Sequence, residues 1–409
     1  MTTQSQPLPT SGTQPTAQNS MDDTFHTEQV MTVAGGHFIH DSYTAFLPPL
    51  LPLLQERLGS SYAGVGTLSV FLQLPSLLTP FIGYLADRVS LRYFVILAPA
   101  ITGTLMSSMG LTSNYVLLVM LFMAAGLSMA AFHAPAPAMI GRIAGRRVGT
   151  GMSIFMATGE LGRTVGPLLV VTGVAWWGLE GIWRLAVIGW LVSAILYWRL
   201  RNVSAQPVAK QQDNLRAIAP RLRRVFTILG GMIIPQMCMV VAITTYLPTF
   251  MRDALGTDLW LAAASLTILE GAGVVGALMT GTLSDRFGRR RVLLILLSLA
   301  PLLLLGFLYA PASLSAPLLI GLGLTAISQT PVKMAIVQDN FPNNRAVANG
   351  IFMSMNFVIR ACAVWIVGLL ADQFGLMNAF FWSGIAAFLS LPAVFWLPER
   401  PTVHDKVTG

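Results

Sequence analysis

Charged residues are scarce in this chain. They make up 10% of its 409 residues, whereas an ordinary soluble domain carries roughly 25%. Hydrophobic residues reach 54%, and the mean hydropathy is +0.67. So little polar surface cannot solvate soluble domains with a total mass of 44.0 kDa. The composition excludes a soluble fold and predicts that apolar side chains face lipid.

Cysteine and lysine are also scarce, and each scarcity excludes a kind of site. Cys238 and Cys362 both lie inside apolar runs, so they supply neither a disulfide framework nor a metal site. The lysines are Lys210, Lys333 and Lys406, and none follows a glycine. A phosphate-binding Gly-Lys-Ser/Thr loop is therefore missing, which excludes transport driven by an ATPase of its own. No catalytic pair, metal cluster or nucleophile motif stands out, so we expect no enzyme, metal or cofactor.

Apolar stretches long enough to cross a bilayer recur along the chain. A helix needs about 20 apolar residues to cross a hydrocarbon core roughly 30 Å thick. Twelve stretches qualify, at 28–54, 61–86, 93–111, 115–139, 150–176, 182–200, 225–251, 259–283, 291–310, 316–338, 347–370 and 379–397. The sequence predicts an all-α membrane protein with twelve transmembrane helices.

Polar segments divide this series into two halves. Residues 1–25 are rich in Ser, Thr, Gln and Pro and predict a disordered tail without signal-peptide features. The polar, basic stretch 201–224 predicts a linker between a six-helix bundle at 26–200 and a second bundle at 225–398. Residues 399–409 form a second predicted tail.

Basic residues outside the helices collect on one side of the predicted membrane. With the N-terminus inside, the outer connections hold Arg57, Arg184 and Arg252, and every other loop base falls on the inner side. The positive-inside rule then predicts a plasma (inner) membrane protein with both termini in the cytoplasm. The net charge of +8 becomes a topology signal, and no nucleic-acid partner is expected.

Two short patterns repeat at nearly the same interval. Gly-Tyr-Leu-Ala-Asp-Arg at 83–88 recurs as Gly-Thr-Leu-Ser-Asp-Arg at 281–286, 198 residues later. Ile-Phe-Met followed by Arg163 recurs as Ile-Phe-Met followed by Arg360, 197 residues later. Such repeats are typical of transporters that bind their substrate near the midplane, between two bundles.

The first repeated pattern closely resembles motif A of the major facilitator superfamily, and the resemblance covers essentially the whole chain. Physically, the glycine would let two helices approach, and the arginines would form an ionic latch between the rocking halves. A plain positive-inside loop is the alternative. The predicted gating residues are Gly83, Asp87, Arg88, Gly281, Asp285, Arg286 and Arg290.

The fifth helix resembles motif C of the same superfamily, through Gly162, Gly166 and Pro167. That motif implies export of a substrate in exchange for protons, although ordinary small-residue packing would give the same pattern. Further stretches resemble the fosmidomycin-resistance branch, including His37-x-x-x-Asp41 and Phe132-His133. The branch implies a phosphonate drug as substrate.

Ionisable residues inside the predicted spans balance each other, and each costs at least a few kcal/mol in lipid. They are Asp41, Glu160, Glu270, Arg163, Lys333 and Arg360, with His37 and His133 beside them. Asp41, Arg163 and Arg360 lie at one depth, on the order of 20 Å from the inner end. A polar chamber between the halves is the predicted explanation. Static charge pairing that holds the helices together is the alternative.

The acids and the bases suggest different roles. Asp41 with His37, four residues apart on one helix face, is the leading proton site. Glu160 and Glu270 are the runners-up, and His133 is either a proton relay or a buried core histidine. Arg163, Arg360 and Lys333 favour an anionic or zwitterionic substrate, since a guanidinium suits carboxylate, phosphate and phosphonate. Neutralisation of the arginines by Glu160 and Glu270 is the other hypothesis.

The combined prediction is a secondary transporter in the lipid bilayer that exports a small organic molecule or drug in exchange for protons. A proton-coupled uptake symporter of an organic anion is the first alternative, and a non-transporting receptor or scaffold is a minor one. The sequence does not reveal the oligomeric state, and we favour a monomer.

Overall fold

The computed structural model describes residues 24–86, 90–203, 215–341 and 345–397, and these residues form helices and turns without any strand. Nine of the helices are long and apolar enough to cross a membrane. One of them, Thr150–Leu200, holds two spans, because Gly178 has a non-helical backbone (φ 71°, ψ 170°). Two further spans, at the start of the described chain, are each interrupted and therefore individually short. The described chain thus has the twelve predicted spans, called spans 1 to 12 here.

The first six spans contain several breaks at prolines. Their bounds are Thr27–Thr44 with Leu47–Leu58 (span 1), Tyr62–Gln73 with Thr79–Ala86 (span 2), Arg92–Ser107 (span 3), Tyr115–His133 with Ala136–Ile143 (span 4), Val148–Gly181 (span 5) and Ala186–Leu200 (span 6). Proline lacks an N–H group and clashes with the preceding turn, so helices restart at Leu47 and Ala136, where prolines occupy the first positions.

The last six spans are interrupted by wide helical turns instead. Their bounds are Leu215–Val241 continuing to Ala254 (span 7), Leu259–Phe287 (span 8), Arg289–Tyr309 (span 9), Ser315–Leu322 continuing to Asn340 (span 10), Arg345–Phe374 (span 11) and Leu376–Ala387 with Leu391–Val394 (span 12). π-helical turns occupy Ala242–Tyr246 and Phe250–Ala254 in span 7 and Gly323–Ile327 in span 10.

The even number of spans puts both ends of the described chain at one end of the bundle, called the terminal end here, and the opposite end is the distal end. Span 1 packs on span 5 in the first half, and span 7 packs on spans 11 and 12 in the second. The two halves meet where span 2 packs on span 11 and span 5 packs on span 8. Large apolar side chains such as Phe81, Trp176 and Leu278 are exposed on the outside of the bundle, where lipid would lie.

Polar contacts between the halves gather at the distal end. Arg252 pairs with Glu56 at 2.5 Å, and the Asp372 carboxylate accepts hydrogen bonds from the backbone N–H groups of Tyr62 (2.6 Å) and Ala63 (3.0 Å). We call these residues the distal latch. At the terminal end, the ion pairs between described residues, such as Arg199 with Glu28, stay within one half. Among the described residues, the ion pair and backbone contacts that join the halves thus lie at the distal end.

This architecture confirms the predicted all-α membrane fold of two six-helix halves. The domain boundaries stay predictions. Span 7 begins at Leu215, inside the stretch 201–224 predicted as a linker, and residues 204–214 lie outside the described residues. Both predicted tails lie outside them as well, apart from Thr24 and Phe25.

Candidate functional site

Asp41 of span 1 is the centre of a cluster of ionisable side chains. It is 1% exposed, and charged or polar groups from three spans surround its carboxylate. His37 Nε2, His133 Nε2 and Arg163 Nη1 each lie 3.3 Å from one of its oxygens. The Arg163 contact is a hydrogen bond, whereas the two histidine contacts are at ion-pair distance. The structure therefore brings together three predicted proton-site residues and one predicted substrate-site residue.

The His37 ring is held in one orientation. Its Nδ1 lies 2.7 Å from the Phe155 carbonyl oxygen, and the ring stacks on Phe155 with centroids 3.9 Å apart. The carbonyl can only accept, so Nδ1 carries the proton of a neutral ring and Nε2 presents a lone pair to Asp41. A lone pair and a carboxylate repel each other at this distance. A favourable contact therefore needs a proton on one of the two groups.

Glycines of span 5 allow this close packing. A Cβ atom at Gly159 would lie 2.6 Å from His37 Nε2, so a side chain there would strike the ring. A Cβ atom at Gly162 would lie 3.1 Å from the Ser42 nitrogen, and one at Gly166 would lie 2.9 Å from the Ala45 Cβ. The predicted packing motif of Gly162, Gly166 and Pro167 thus lies on the span that packs against span 1, which carries Asp41.

The Arg163 guanidinium is shared between two carboxylates. It forms an ion pair with Glu160 one turn earlier, in addition to its bond to Asp41. The Arg163 side chain is 41% exposed and Glu160 is 30% exposed, although both lie midway along span 5. Exposed charge at this depth fits an open polar space beside the cluster.

The second half supplies Glu270 and Arg360 to the same region. Both interact electrostatically with Arg163. Span 5 and span 8 touch at this level, since a Cβ atom at Gly271 would lie 3.3 Å from the Thr164 side chain. The predicted charges from the two halves therefore face each other across the seam between these spans.

Arg360 has hydroxyl partners where Arg163 has acids. Its Nη2 donates hydrogen bonds to the Thr244 hydroxyl at 2.9 Å and the Thr245 hydroxyl at 3.1 Å. Within the part of the chain that the structure describes, no carboxylate lies at ion-pair distance from it. Its charge is thus the less neutralised of the two arginines.

Lys333 lies away from the two arginines. Its Nζ donates a 2.6 Å hydrogen bond to Gln236 Oε1, and both side chains are buried. Gln236 precedes Thr244 by eight residues on span 7, which puts Lys333 on the order of 12 Å nearer the terminal end than Arg360. It does not join the charge cluster.

Arg289 also takes part in the region of the predicted gating motif. Arg289 makes the ionic contacts, to Asp285 at 2.8 Å and Asp339 at 2.9 Å, and these join spans 8, 9 and 10 within one half. The Arg286 and Arg290 guanidinium groups lie over the rings of Phe287 and Phe395. Sequence spacing does not tell which of the three successive arginines at 289–291 faces these acids, and the gating role expected of Arg290 stays a prediction.

The role expected of the motif glycine stays a prediction. Among the described residues, no atom lies within 4 Å of a Cβ atom built at Gly281. In the first copy of the motif, Gly83 lies within the helix Thr79–Ala86, while Asp87 and Arg88 lie outside the described residues. A latch between the halves at the terminal end stays a prediction.

Several contributors carry no signal in the sequence. Thr244, Thr245 and Gln236 sit in an apolar helix, where isolated polar residues usually bond their own backbone. His40 precedes Asp41 directly and so lies on the same predicted helix. Only the fold shows that His40 is fully buried and that its ring stacks on Phe132, with ring centroids 4.4 Å apart. These roles depend on which helices become neighbours.

The spacing within the cluster also bears on metal binding. Donor atoms of His37, Asp41 and His133 lie within 4.8 Å of one another, a separation that one cation could bridge. We assign them no ligand role, because the Arg163 guanidinium contacts the same carboxylate and would repel a metal cation. The expectation of no metal and no cofactor stays a prediction.

Comparison with known proteins identifies the family of the chain. The model of the Major Facilitator Superfamily matches residues 33–330 and 281–409. The fosmidomycin resistance protein of Escherichia coli (strain K12) is 24% identical over 374 residues, covering 89% of this chain and 91% of that protein. The multidrug resistance protein MdtG of Yersinia enterocolitica is also 24% identical, over 68% of this chain and 71% of that protein.

Solved structures share the fold at lower identity. The nucleoside transporter NupG superposes with a TM-score of 0.70 at 16% identity, over 90% of this chain and all of that chain (100%). A bacterial homologue of the human lysosomal transporter Spinster, in an inward-facing and unoccupied conformation, gives a TM-score of 0.73 at 13% identity, over 91% and 95% of the two chains. The fold and the family match agree, and the chain belongs to the major facilitator superfamily of membrane transporters.

Proposed function

We propose that this transporter exports a small organic zwitterion or anion in exchange for protons, by alternating access. The observation that carries the proposal is the His37–Asp41 pair. Its facing nitrogen and oxygen atoms need a proton between them, and Arg163 competes for the same carboxylate. One carboxylate thus has two states, one bonded to a proton and one bonded to a guanidinium.

Protonation of Asp41 changes the site beyond the carboxylate itself. A protonated Asp41 no longer attracts Arg163 by charge. The guanidinium then keeps its contact with Glu160 and is free to contact a substrate bound on the side of Glu270. Because Arg163 interacts electrostatically with Glu270 and Arg360, its release changes the potential felt in both halves. His133, 37% exposed and 3.3 Å from Asp41, links the buried carboxylate to the open space as a proton route.

Arg360 is the proposed anchor for an anionic group. Thr244 and Thr245 occupy one of its nitrogen atoms, and the other N–H groups of the planar fork are available for a carboxylate, phosphate or phosphonate. The relation to the fosmidomycin resistance protein supports a substrate of this class. Lys333 is a secondary candidate, reached by a substrate on its way between the terminal end and Arg360.

Exchange requires that proton and substrate exclude each other. A zwitterion would bind Arg360 through its anionic group and the Asp41–Glu160 carboxylates through its cationic group. Protonation of Asp41 would neutralise one of the two carboxylates that bind the cationic group. The substrate would then be released. The relation to MdtG, a multidrug resistance protein, supports the export direction.

A specific observation favours the alternative, proton-coupled uptake of an organic anion. Protonating Asp41 frees Arg163 for a second contact to an anion, so a substrate without a cationic group would bind more tightly together with the proton. Symport would then follow. The charge of the substrate therefore decides between the two functions.

Alternating access is supported by the asymmetry of polar contacts between the two ends. The distal latch closes one end, and the basic loops mark the terminal end as the cytoplasmic side by the positive-inside rule. In this proposal the described conformation opens inward, the termini are cytoplasmic and the protein works as a monomer in the plasma (inner) membrane.

Transport by the purified protein in proteoliposomes tests the proposal. Radiolabelled zwitterionic, anionic and cationic compounds would be compared with a proton gradient imposed and again after a protonophore collapses it. We expect the gradient to drive a zwitterion in the direction opposite to the protons. Movement of an anion in the same direction as the protons would establish the symporter instead, and movement of cations alone would remove Arg360 from the mechanism.

A further inference from the structure

A groove on the outer surface of the second half has features of a lipid site. It has a volume of about 730 Å³ and lies where span 7 meets the end of span 12. Pro220, Arg223, Arg224, Thr227, Ile228 and Trp396 line it. None of these residues belongs to the charge cluster around Asp41, so the proposed function leaves the groove unexplained.

The charged rim of the groove has no acidic partner among the described residues. Arg223 and Arg224 are both exposed, and no carboxylate of a described residue lies at ion-pair distance from either. Both side chains line the groove, and an anion bound there would offset their like charges. A phosphate ester provides acceptors for both planar forks.

The wall of the groove is apolar one turn further along the same helix. Thr227 and Ile228 follow the arginines by four residues, which is about 5–6 Å along the helix axis. Trp396, two residues after the end of span 12, lines the groove with 66% of its surface exposed. Tryptophan at the end of a membrane span is typical of the level where lipid headgroups meet acyl chains.

We propose that this groove binds an anionic phospholipid of the surrounding membrane. The phosphate group contacts Arg223 and Arg224, and the upper acyl chain lies against Ile228 and Trp396. A soluble phosphate would use the arginines but gain nothing from the apolar wall. The combination of charge and apolar surface, separated by one helical turn, therefore selects a lipid.

Native mass spectrometry of the full chain, purified in detergent, tests this site. The probes are phosphatidylglycerol and phosphatidylethanolamine with identical acyl chains. We expect the wild type to retain phosphatidylglycerol, and the double variant Arg223→Gln/Arg224→Gln to lose about tenfold or more of that affinity. The matched control, Arg201→Gln/Arg291→Gln, removes the same charge at the same end outside the groove and should leave retention unchanged.

Three results would overturn the proposal. The first is equal loss in the control, which would show general attraction to basic loops. The second is competition by glycerol phosphate as strong as by the lipid, which would indicate a site for a soluble phosphate. The third is lipid retention that appears only after removal of residues 398–409, which would show that the chain's own tail, with Glu399 and Asp405, fills the groove.

Trp396→Ala keeps both arginines and should weaken the binding of lipid without affecting the binding of glycerol phosphate.

Discussion

Arg163 and Arg360 occupy equivalent positions of the two halves, yet their surroundings differ. Arg163 contacts two carboxylates, one of which also faces His37 and His133, whereas Arg360 contacts two threonine hydroxyls. The repeat supplies the same cation at the same depth, and the neighbours determine what it does. An arginine that contacts two carboxylates is suited to a switch. Arg360 has no carboxylate at ion-pair distance among the described residues and only a longer-range interaction with Glu270, so it is suited to holding an anion.

The backbone differs between the halves in a related way. Thr244 and Thr245 lie in the π-helical turn Ala242–Tyr246, which is wider than an α-helical turn. Successive residues of an α-helix point about 100° apart, so two adjacent hydroxyls rarely reach one guanidinium nitrogen. The wider turn brings both to Arg360. Span 1, the equivalent of span 7, breaks at Ala45 and Phe46 instead and presents a histidine and an acid.

The largest effect is expected for Asp41→Asn. An asparagine cannot exchange a proton, so flux driven by a proton gradient should fall to background while exchange of substrate for substrate continues. Gradient-driven transport and counterflow in proteoliposomes measure the two processes separately. Glu180→Gln, which removes an exposed carboxylate, is the control.

If Asp41→Asn still couples transport to the proton gradient, Asp41 is not the proton site and the proposed contrast between the halves fails. Glu160→Gln and Glu270→Gln, the two other candidates, are therefore measured in the same assays. Loss of coupling in Glu270→Gln alone would place the proton site in the second half, beside Arg360.

Arg360→Gln should weaken substrate binding more than any change in the first half that leaves Asp41 intact. Removing one charged partner from a buried polar contact costs about 2–5 kcal/mol, so affinity should fall about thirtyfold or more. The measurement is the substrate concentration that half-saturates counterflow, which needs no proton gradient. Arg163→Gln should mainly alter the response to the gradient, and a larger affinity loss there than in Arg360→Gln would reverse the assignment.

Gly159→Ala should reduce coupled transport about tenfold, through overpacking that costs about 1–3 kcal/mol. The new methyl group would strike the His37 ring, and stacking on Phe155 leaves that ring little room to move. Gly35→Ala is the control, because a Cβ atom there meets nothing within 4 Å. Substrate counterflow should be reduced less than gradient-driven flux, and equal losses would indicate a general packing defect.

The sequence predicts much of the fold and only part of the site. Long apolar runs are a local property, so all twelve spans and both halves follow from them. Helical spacing also predicts the neighbours of Asp41 and Arg163 within one span, namely His37 and Glu160. The distal latch is different. Asp372 of the second half accepts a hydrogen bond from Tyr62 of the first half, and the sequence around either residue does not indicate this contact.

Lys333 and Arg289 show that the sequence does not predict the direction in which a side chain points. Lys333 lies in the spans like the arginines, so the sequence groups it with them, whereas the fold turns it toward Gln236. Arg289 stands among three adjacent arginines, and only the packing of spans 8, 9 and 10 selects it. Depth along a helix is predictable from residue counting, but the direction of a side chain depends on helix rotation and on π-helical turns.

The smallest effect is expected for Thr245→Val, which keeps the side-chain shape and removes one acceptor from Arg360. Loss of a single hydrogen bond of this kind costs about 1 kcal/mol, so substrate affinity should fall about fivefold. Thr325→Val in span 10 is the matched control, since it also lies in a π-helical turn and its hydroxyl donates to the backbone of its own helix. Half-saturation of counterflow would be measured for both variants and for Thr244→Val. If the threonines position Arg360, the two span 7 variants weaken binding by similar factors and the double variant approaches Arg360→Gln, because a guanidinium without its hydroxyl partners no longer points at the substrate. An unchanged affinity in the double variant would show that Arg360 needs no orienting partners, and the contrast between the two arginines would then rest on the missing carboxylate alone.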